Sequence, residues 1–193
     1  MMPKWYSDAI PLMVGGDTGL GGHLLRGCLL GLLHGAFANR PAAFAVAFPG
    51  EPVKGLLCGV LRIFASSRED LDWLAAQITP QPWFRDYYRL AYPCEVPETF
   101  DGKWVRHSRY RIPSRSSDRH EGEQKGQLRE RRMAEAGREG LAYFVLRSTG
   151  NGQRFSLLVR REPAEAQHGE CLPNGYGFSV AMRPFSLPEL SWR

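Results

Sequence analysis

Residues 5–14 read Trp-Tyr-Ser-Asp-Ala-Ile-Pro-Leu-Met-Val, and a glycine-rich loop, Gly-Gly-Asp-Thr-Gly, follows at 15–19. The first stretch is typical of a strand, and the loop leads into a helix predicted from about Leu20 to Ala38. Asn39-Arg-Pro41 ends that helix, because proline cannot continue it. This strand–loop–helix unit sets the pattern for the first half of the chain.

The segments that follow continue the alternation. Residues 42–48 and 56–65 are predicted to form two short apolar strands. Ser66-Ser-Arg-Glu69 is a capping signal for a second helix, which extends to about Gln77. An aromatic run from Trp83 to Tyr92 is predicted to end in another strand. The predicted order is therefore β-α-β-β-α-β.

That order predicts an α+β fold in which residues 1–97 form a ferredoxin-like, RRM-like domain. Many RNA-binding domains share this arrangement, but metabolic and regulatory domains also use it, so the fold alone does not decide function. Residues 98–193 are less regular and are predicted to form a smaller, RRM-like lobe that carries a basic helix. Its predicted elements are strands at 103–112, 142–147, 153–160 and 177–182 and a helix near 119–136.

Composition favours a globular protein with an anionic partner. The 193 residues are 43% hydrophobic, which is enough for a sizeable core, and the formal net charge is +5. The excess is local, because 11 of the 25 basic residues fall within 36 positions, together with five acidic ones. These basic residues are Lys103, Arg106, Arg109, Arg111, Arg115, Arg119, Lys125, Arg129, Arg131, Arg132 and Arg138. Such clustering is what a nucleic-acid footprint requires.

Two sets of basic side chains in this segment are each predicted to share a face. They are Arg109 and Arg111, which alternate in a strand, and Lys125, Arg129 and Arg132, which have helical spacing. One interpretation is a solvated helix whose arginines and glutamates form surface pairs. The other is RNA binding, which the nearby aromatic residues Trp104 and Tyr110 favour.

The four cysteines are scattered, with no paired spacing typical of a zinc or redox site. Residues 1–8 lack the basic start and apolar run of a signal peptide. Residues 20–38 are the only candidate membrane segment, but His23, Arg26 and His34 interrupt it. We therefore expect a cytoplasmic protein with no membrane partner.

His34 lies near the end of the leucine-rich helix, on one edge with His23, Arg26 and Leu30. Gly27, Gly31 and Gly35 form an adjacent stripe. One interpretation is structural: the glycines allow close packing, and His34 caps carbonyls at the helix end. The other is catalytic, because histidine has an unperturbed pKa near ~6.5 and can accept a proton at neutral pH.

Two further candidate positions lie in turns. Ser148 belongs to Leu-Arg-Ser-Thr-Gly-Asn-Gly-Gln-Arg-Phe at 146–155, and Tyr176 belongs to Gly-Tyr-Gly-Phe-Ser at 175–179. Taken alone, both are consistent with ordinary turn chemistry, and Asn151-Gly152 is a hairpin signal. The sequence shows no competing set: it has no nucleophile elbow, no phosphate loop, no dinucleotide fingerprint and no cluster at metal-ligand spacing.

Over nearly its whole length the chain resembles the CRISPR repeat-processing endoribonuclease of subtype I-F. The similar N-terminal segments are Trp5–Ile10, Leu29–Ala36, Ala45–Pro49 and Leu61–Ser66. The most specific similar segments are Leu146–Ser148, Gly152–Phe155 and Tyr176–Ser179.

This resemblance implies that His34, Ser148 and Tyr176 are catalytic and that Phe155 stacks below the cleavage site. It also implies that RNA is bound by Arg109, Arg111, Arg115, Arg119, Lys125, Arg129 and Arg132. The implied reaction needs no metal or cofactor. The RNA 2′-hydroxyl attacks the scissile phosphate and leaves a 2′,3′-cyclic phosphate and a 5′-hydroxyl. The implied partners are the CRISPR repeat hairpin, the mature crRNA and other subunits of the effector complex.

The chain also departs from that family. Arg109 and Arg111 stand where the family has an arginine and a glutamine, and the basic helix contains glycines and glutamates. The C-terminal segment, residues 183–193, is longer than the family's usual ending. These differences suggest a divergent branch, which could serve a type IV or transposon-associated system. Two other functions stay open: a repeat-binding subunit with weak or no cleavage, and an unrelated ferredoxin-like regulatory protein.

Overall fold

The elements of the first half alternate as their apolar patterns predict. The computed structural model describes residues 1–12, 22–49, 59–113, 122–148, 150 and 152–191. The elements are β1 Trp5–Pro11, α1 Gly22–Phe37, β2 Phe44–Ala47, β3 Leu61–Ala65, α2 Arg68–Ile78, α3 Pro82–Tyr87, β4 Tyr88–Leu90, β5 Cys94–Glu95, β6 Trp104–Tyr110, α4 Gly122–Arg138, β7 Ala142–Arg147, β8 Arg154–Ala164 and β9 Leu187–Pro188. The chain is a mixed α+β protein with two antiparallel sheets.

The N-terminal sheet has the strand order β2-β3-β1-β4, and β5 also pairs with β1. In the β1–β3 register, Asp8 lies opposite Arg62, and the two side chains form a buried bidentate ion pair of 2.7 and 2.8 Å. Arg62 also donates to the Leu190 carbonyl at 2.7 Å and lies over the Tyr6 ring. These bonds satisfy a charge that would be costly to bury alone, and they fasten the C-terminal segment to the sheet.

The C-terminal sheet has the order β7-β8-β6-β9. Helix α4 docks on it through a polar cluster: Glu135 accepts from the Tyr110 hydroxyl at 2.7 Å and from Arg160 at 2.6 Å. Glu139 also pairs with Arg160, whose guanidinium lies over the Tyr110 ring. Glu135 on the helix and Glu139 just after its end therefore hold α4 to strands β6 and β8.

Helix α1 packs against both sheets. Its buried leucines, Leu29, Leu30 and Leu33, share one core cluster with β2 and β3 and also with β7 and β8. Gly27 makes this packing possible, because a Cβ atom there would lie 1.9 Å from the Val145 carbonyl oxygen. The hydrophobic core thus draws on residues from both halves of the chain. The division at residue 97 stays a prediction.

Several predicted elements are confirmed with shifted ends. The first strand ends at Pro11, and the helix predicted over 20–38 spans Gly22–Phe37. The capping signal is confirmed, since the Ser67 side chain accepts from the Asp70 backbone N–H. No described helix is both long enough and apolar enough to span a membrane.

Other segments differ from their predictions. The aromatic run does end in a strand, but its first part is helix α3, which Pro82 starts at a position where proline is tolerated. The strand predicted at 177–182 is wrong, because these residues form only single bridges, including Ser108 with Ser179. A turn follows at once, with Arg183 N donating to the Val180 carbonyl, so no regular strand extends there.

Candidate active site

The ring of His34, in the last turn of α1, stacks on the ring of Tyr176. Their centroids are 4.1 Å apart, and the ring planes are inclined by 14°. His34 Nδ1 lies 2.6 Å from the Gly175 carbonyl oxygen. Two residues that are distant in the sequence, and that the resemblance pairs as catalytic, therefore touch.

A tight turn presents Tyr176 to the histidine. The Asn174 side-chain oxygen accepts from the backbone N–H groups of Tyr176 at 2.8 Å and Phe178 at 3.2 Å. Gly177 has a φ of +82°, which favours glycine, and its carbonyl accepts from Val46 N at 2.9 Å. The turn is therefore anchored to β2, and Tyr176 is held in place from both sides.

The hydrogen bond to Gly175 decides which nitrogen of His34 carries the proton. A carbonyl oxygen only accepts, so Nδ1 must donate to it. In the neutral ring Nε2 then has an unprotonated lone pair, as a general base requires.

His34 lies on an edge of α1 that is partly buried. The helix edge that it shares with Arg26 and Leu30 is not open, because these two residues are 7% and 0% exposed. His34 itself is half-buried. The interpretation in which the imidazole caps its own helix is wrong for Nδ1, whose partner is the carbonyl of Gly175, far along the chain.

Ser148 directly follows β7, in the connection to β8. Its N–H donates to the Gln153 carbonyl at 2.8 Å, and its carbonyl accepts from Gly152 N at 3.0 Å. Helix α1 runs alongside β7 in the same direction: His23 stacks on Tyr143 near the start of the strand, and Gly27 meets Val145 further along. The ends of α1 and β7, which carry His34 and Ser148, therefore point the same way.

Phe155 lies on β8 opposite Leu146. Its ring is half-buried and packs against the core cluster around α1. The side chain thus has a structural contact in this chain, and its predicted stacking on RNA stays a prediction.

Arg109 lies close to the candidate active site. Burial lowers the pKa of Arg109, the charge of Arg111 lowers it further, and Tyr176 acts in the opposite direction. The backbone supports this proximity, because Ser179 N donates to the His107 carbonyl at 2.9 Å and so aligns the segment after Tyr176 with β6. Arg111, just beyond β6, is exposed.

Two arginines of the basic set predicted on α4 form hydrogen bonds within the protein. Arg129 donates to the Pro113 carbonyl at 2.7 Å, and Arg132 donates to the Arg111 carbonyl at 3.1 Å. These bonds hold the segment after β6 against the helix, a role that residue spacing did not indicate. Arg115, Arg119 and the side chain of Lys125 lie outside the described residues.

Comparison with known proteins supports the resemblance. No curated protein matches the chain. The family model described as CRISPR-associated protein (Cas_Csy4) matches residues 10–189, which is most of the chain. The match removes the alternative of an unrelated regulatory protein. The chain therefore belongs to the Cas_Csy4 family, whose members are crRNA-processing endoribonucleases that bind the crRNA repeat hairpin.

Proposed function

We propose that this protein cleaves precursor crRNA below the repeat hairpin without a metal ion and then stays bound to the mature crRNA in an effector complex. The observation that carries the proposal is the His34–Tyr176 pair, in which the Gly175 carbonyl holds the proton on Nδ1. An imidazole fixed in this tautomer presents Nε2 as the base for an RNA hydroxyl.

The reaction is an internal transesterification. His34 Nε2 takes the proton from the 2′-hydroxyl of the nucleotide before the scissile phosphate, and the oxygen attacks phosphorus in line. A bond forms from the 2′ oxygen to phosphorus as the bond to the 5′ oxygen breaks. The leaving oxygen takes up a proton, which gives a 2′,3′-cyclic phosphate and a 5′-hydroxyl. Positioning supplies much of the acceleration, because the nucleophile is already part of the substrate.

Ser148 is assigned to hold the 2′-hydroxyl, and the α1–β7 register supports this role. From Gly27 to His34 the helix advances roughly 10.5 Å. From Val145 to Ser148 the strand advances roughly 10 Å. Since a Cβ at Gly27 would meet the Val145 backbone, α1 and β7 touch there. His34 and Ser148 are then equally far from this contact, measured along the helix and the strand.

Tyr176 is assigned to orient His34. The stack restricts rotation of the imidazole, and the anchored turn fixes the tyrosine. Preorganisation of this kind matters because a base that must first find its position loses much of its effect.

The other residues that the family resemblance names are assigned to RNA binding. Arg109, whose charge interacts with Tyr176, and Arg111 suit base edges near the cleavage site, since arginine pairs with guanine through two hydrogen bonds. Arg115, Arg119, Lys125, Arg129 and Arg132 are assigned to the hairpin's phosphates, and Phe155 to stacking at its base. We also assign residues 1–97 to the ferredoxin-like fold, a proposal that the element order and the strand order β2-β3-β1-β4 support.

Replacing His34 with alanine tests the assignment. We expect single-turnover cleavage to fall by about 10² to 10⁴-fold. Affinity for the hairpin should stay close to that of the parent, because the basic surface is untouched. The parent should likewise bind but not cleave an RNA with 2′-deoxyribose before the scissile phosphate. Undiminished cleavage by His34→Ala, or cleavage of the deoxy substrate, would remove His34 from the mechanism.

Metal independence is tested separately. The parent enzyme should cleave at its full rate in excess chelator. An absolute requirement for magnesium would contradict the mechanism. A parent that binds the hairpin without cutting it under any condition would instead be a binding subunit.

A further inference from the structure

Two arginines face each other at the end of the β7–β8 hairpin, next to the turn that carries Ser148. Arg147 and Arg154 form the last pair in the β7–β8 register, and both side chains are exposed. Because paired residues lie on one face of a sheet, their positive charges are close. Like charges directly opposite each other disfavour the folded state.

Other arginines of β8 are neutralised. Arg160 pairs with Glu135 and Glu139, and Arg161 pairs with Glu189. Among the residues that the structure describes, no carboxylate lies within ion-pair distance of Arg147 or Arg154. Carboxylates therefore neutralise the arginines in the second half of β8, but not the arginine pair at its start, near Ser148.

The guanidinium of Arg147 is held in position. Its Nε donates to the Gly152 carbonyl at 3.0 Å. Gly152 has a φ of +67°, and a Cβ atom there would approach Arg147 Nη2 to 3.5 Å. The side chain thus lies over the turn that also fixes the backbone of Ser148.

An aromatic pair lies further along the same face. Tyr143 lies four residues before Arg147 on β7, on the same face of the sheet and roughly 13 Å away. It is 40% exposed, and the His23 ring stacks on it at 4.1 Å. Exposed aromatic rings beside arginines are typical of surfaces that bind single-stranded nucleic acid, with bases on the rings and phosphates on the guanidinium groups.

We propose that Arg147 and Arg154, together with Tyr143, bind single-stranded RNA that flanks the repeat hairpin. The inference rests on the proposed function, since Ser148 places the scissile nucleotide next to this surface. A flanking phosphodiester between the two arginines supplies the missing counter-charge, and a nearby base stacks on Tyr143. The surface is distinct from the arginines of β6 and α4 that are assigned to the hairpin itself.

The test compares three RNAs, and any of them that contains the scissile phosphate carries 2′-deoxyribose before it and so cannot be cleaved. One is the hairpin alone, one has a 5′ flank and one has a 3′ flank. Binding of the parent protein, Arg147→Gln/Arg154→Gln and Tyr143→Ala is titrated at several salt concentrations. Arg85→Gln is the control, because it removes an arginine that is also exposed but lies on α3.

For one of the flanked RNAs, we expect the double variant to bind severalfold more weakly than the parent. The slope of its log affinity against log salt concentration should become shallower by roughly 0.7, the value expected for one phosphate contact on a single strand. Tyr143→Ala should weaken binding of the same RNA without changing the salt dependence of its affinity. The hairpin alone should bind every variant alike, and the RNA affected shows which flank is held.

Equal weakening for all three RNAs, or no weakening for any, would overturn the proposal. Neither result would touch the proposed function, which is tested by cleavage of the repeat by the parent and by His34→Ala. A second measurement needs no RNA: Arg154→Gln relieves the repulsion, so its urea midpoint should equal or exceed that of the parent. A lower midpoint would mean that Arg154 serves the fold.

Discussion

At the scale of single residues, two glycines on either side of Tyr176 have different effects on the site. A Cβ atom at Gly175 would lie 3.0 Å from His34 Cε1 and 3.3 Å from Nδ1. A Cβ atom at Gly177 would lie 2.6 Å from Val46 Cγ2, at a φ of +82°. The first glycine leaves room for the imidazole, and the second allows the turn to dock on β2.

Replacing Gly175 with alanine should therefore displace the imidazole and lengthen its bond to the carbonyl. We expect cleavage to slow by up to about 10²-fold, because small misplacements of catalytic groups are costly. Hairpin affinity should be retained. Gly177→Ala is the matched comparison, and it should lower the urea midpoint because it strains the backbone and clashes with β2. Cleavage by Gly175→Ala at the parent rate would show that the geometry at Nδ1 does not matter.

At the scale of elements, the contact of α1 with β7 sets the level of His34 against Ser148. Gly27 allows it, since a Cβ there would approach the Val145 carbonyl oxygen to 1.9 Å. A Cβ atom at Gly31, one turn later, would meet no atom of the described residues within 4 Å. The glycine stripe thus includes one position that packs tightly and one that is open.

These positions make a matched pair for substitution by alanine. Gly27→Ala must push the helix off the strand, so we expect a loss of about 1–3 kcal/mol in the free energy of unfolding. Gly31→Ala should instead gain roughly 0.5–1 kcal/mol, because glycine is unfavourable inside a helix. Urea unfolding measures both. If the two variants had the same stability, the close approach of α1 to β7 would be wrong.

At the scale of the whole molecule, His107 lies buried where β6 meets the N-terminal sheet. Phe48 N donates to its Nε2 at 3.5 Å, and the two rings meet edge to face. Burial, with the nearby charge of Arg161, lowers the pKa of His107 to about 3. Folding therefore keeps this imidazole neutral at pH values where an exposed histidine is protonated.

The pH dependence of stability follows from this shift. Between about pH 6.5, the ordinary value for histidine, and pH 3, the unfolded chain binds a proton that the folded chain excludes. The contribution of His107 is thus fully present above pH 6.5 and is lost as the pH falls, by at most ~1.4 kcal/mol per unit. We expect His107→Gln to lose less stability than the parent between pH 7 and pH 4 in urea unfolding. Equal losses would show that His107 is not the group responsible.

The sequence alone determined the alternating order of the first half, the α+β class and the family. Local patterns suffice for the first two, because hydrophobic periodicity and capping reflect each segment's own backbone. The residues of the site were named by resemblance, and the match over residues 10–189 confirms the family while their roles stay proposals.

Only the tertiary structure decided how these residues meet. His34 stacks on Tyr176 and donates from Nδ1 to Gly175, and Arg129 and Arg132 donate to backbone carbonyls of the segment after β6. Each of these contacts joins residues that are separated along the sequence. Periodicity predicts which face of a helix is apolar, but it does not say which element will cover that face. That choice depends on the packing of α1 between two sheets, and Gly27 shows how closely the backbones must approach.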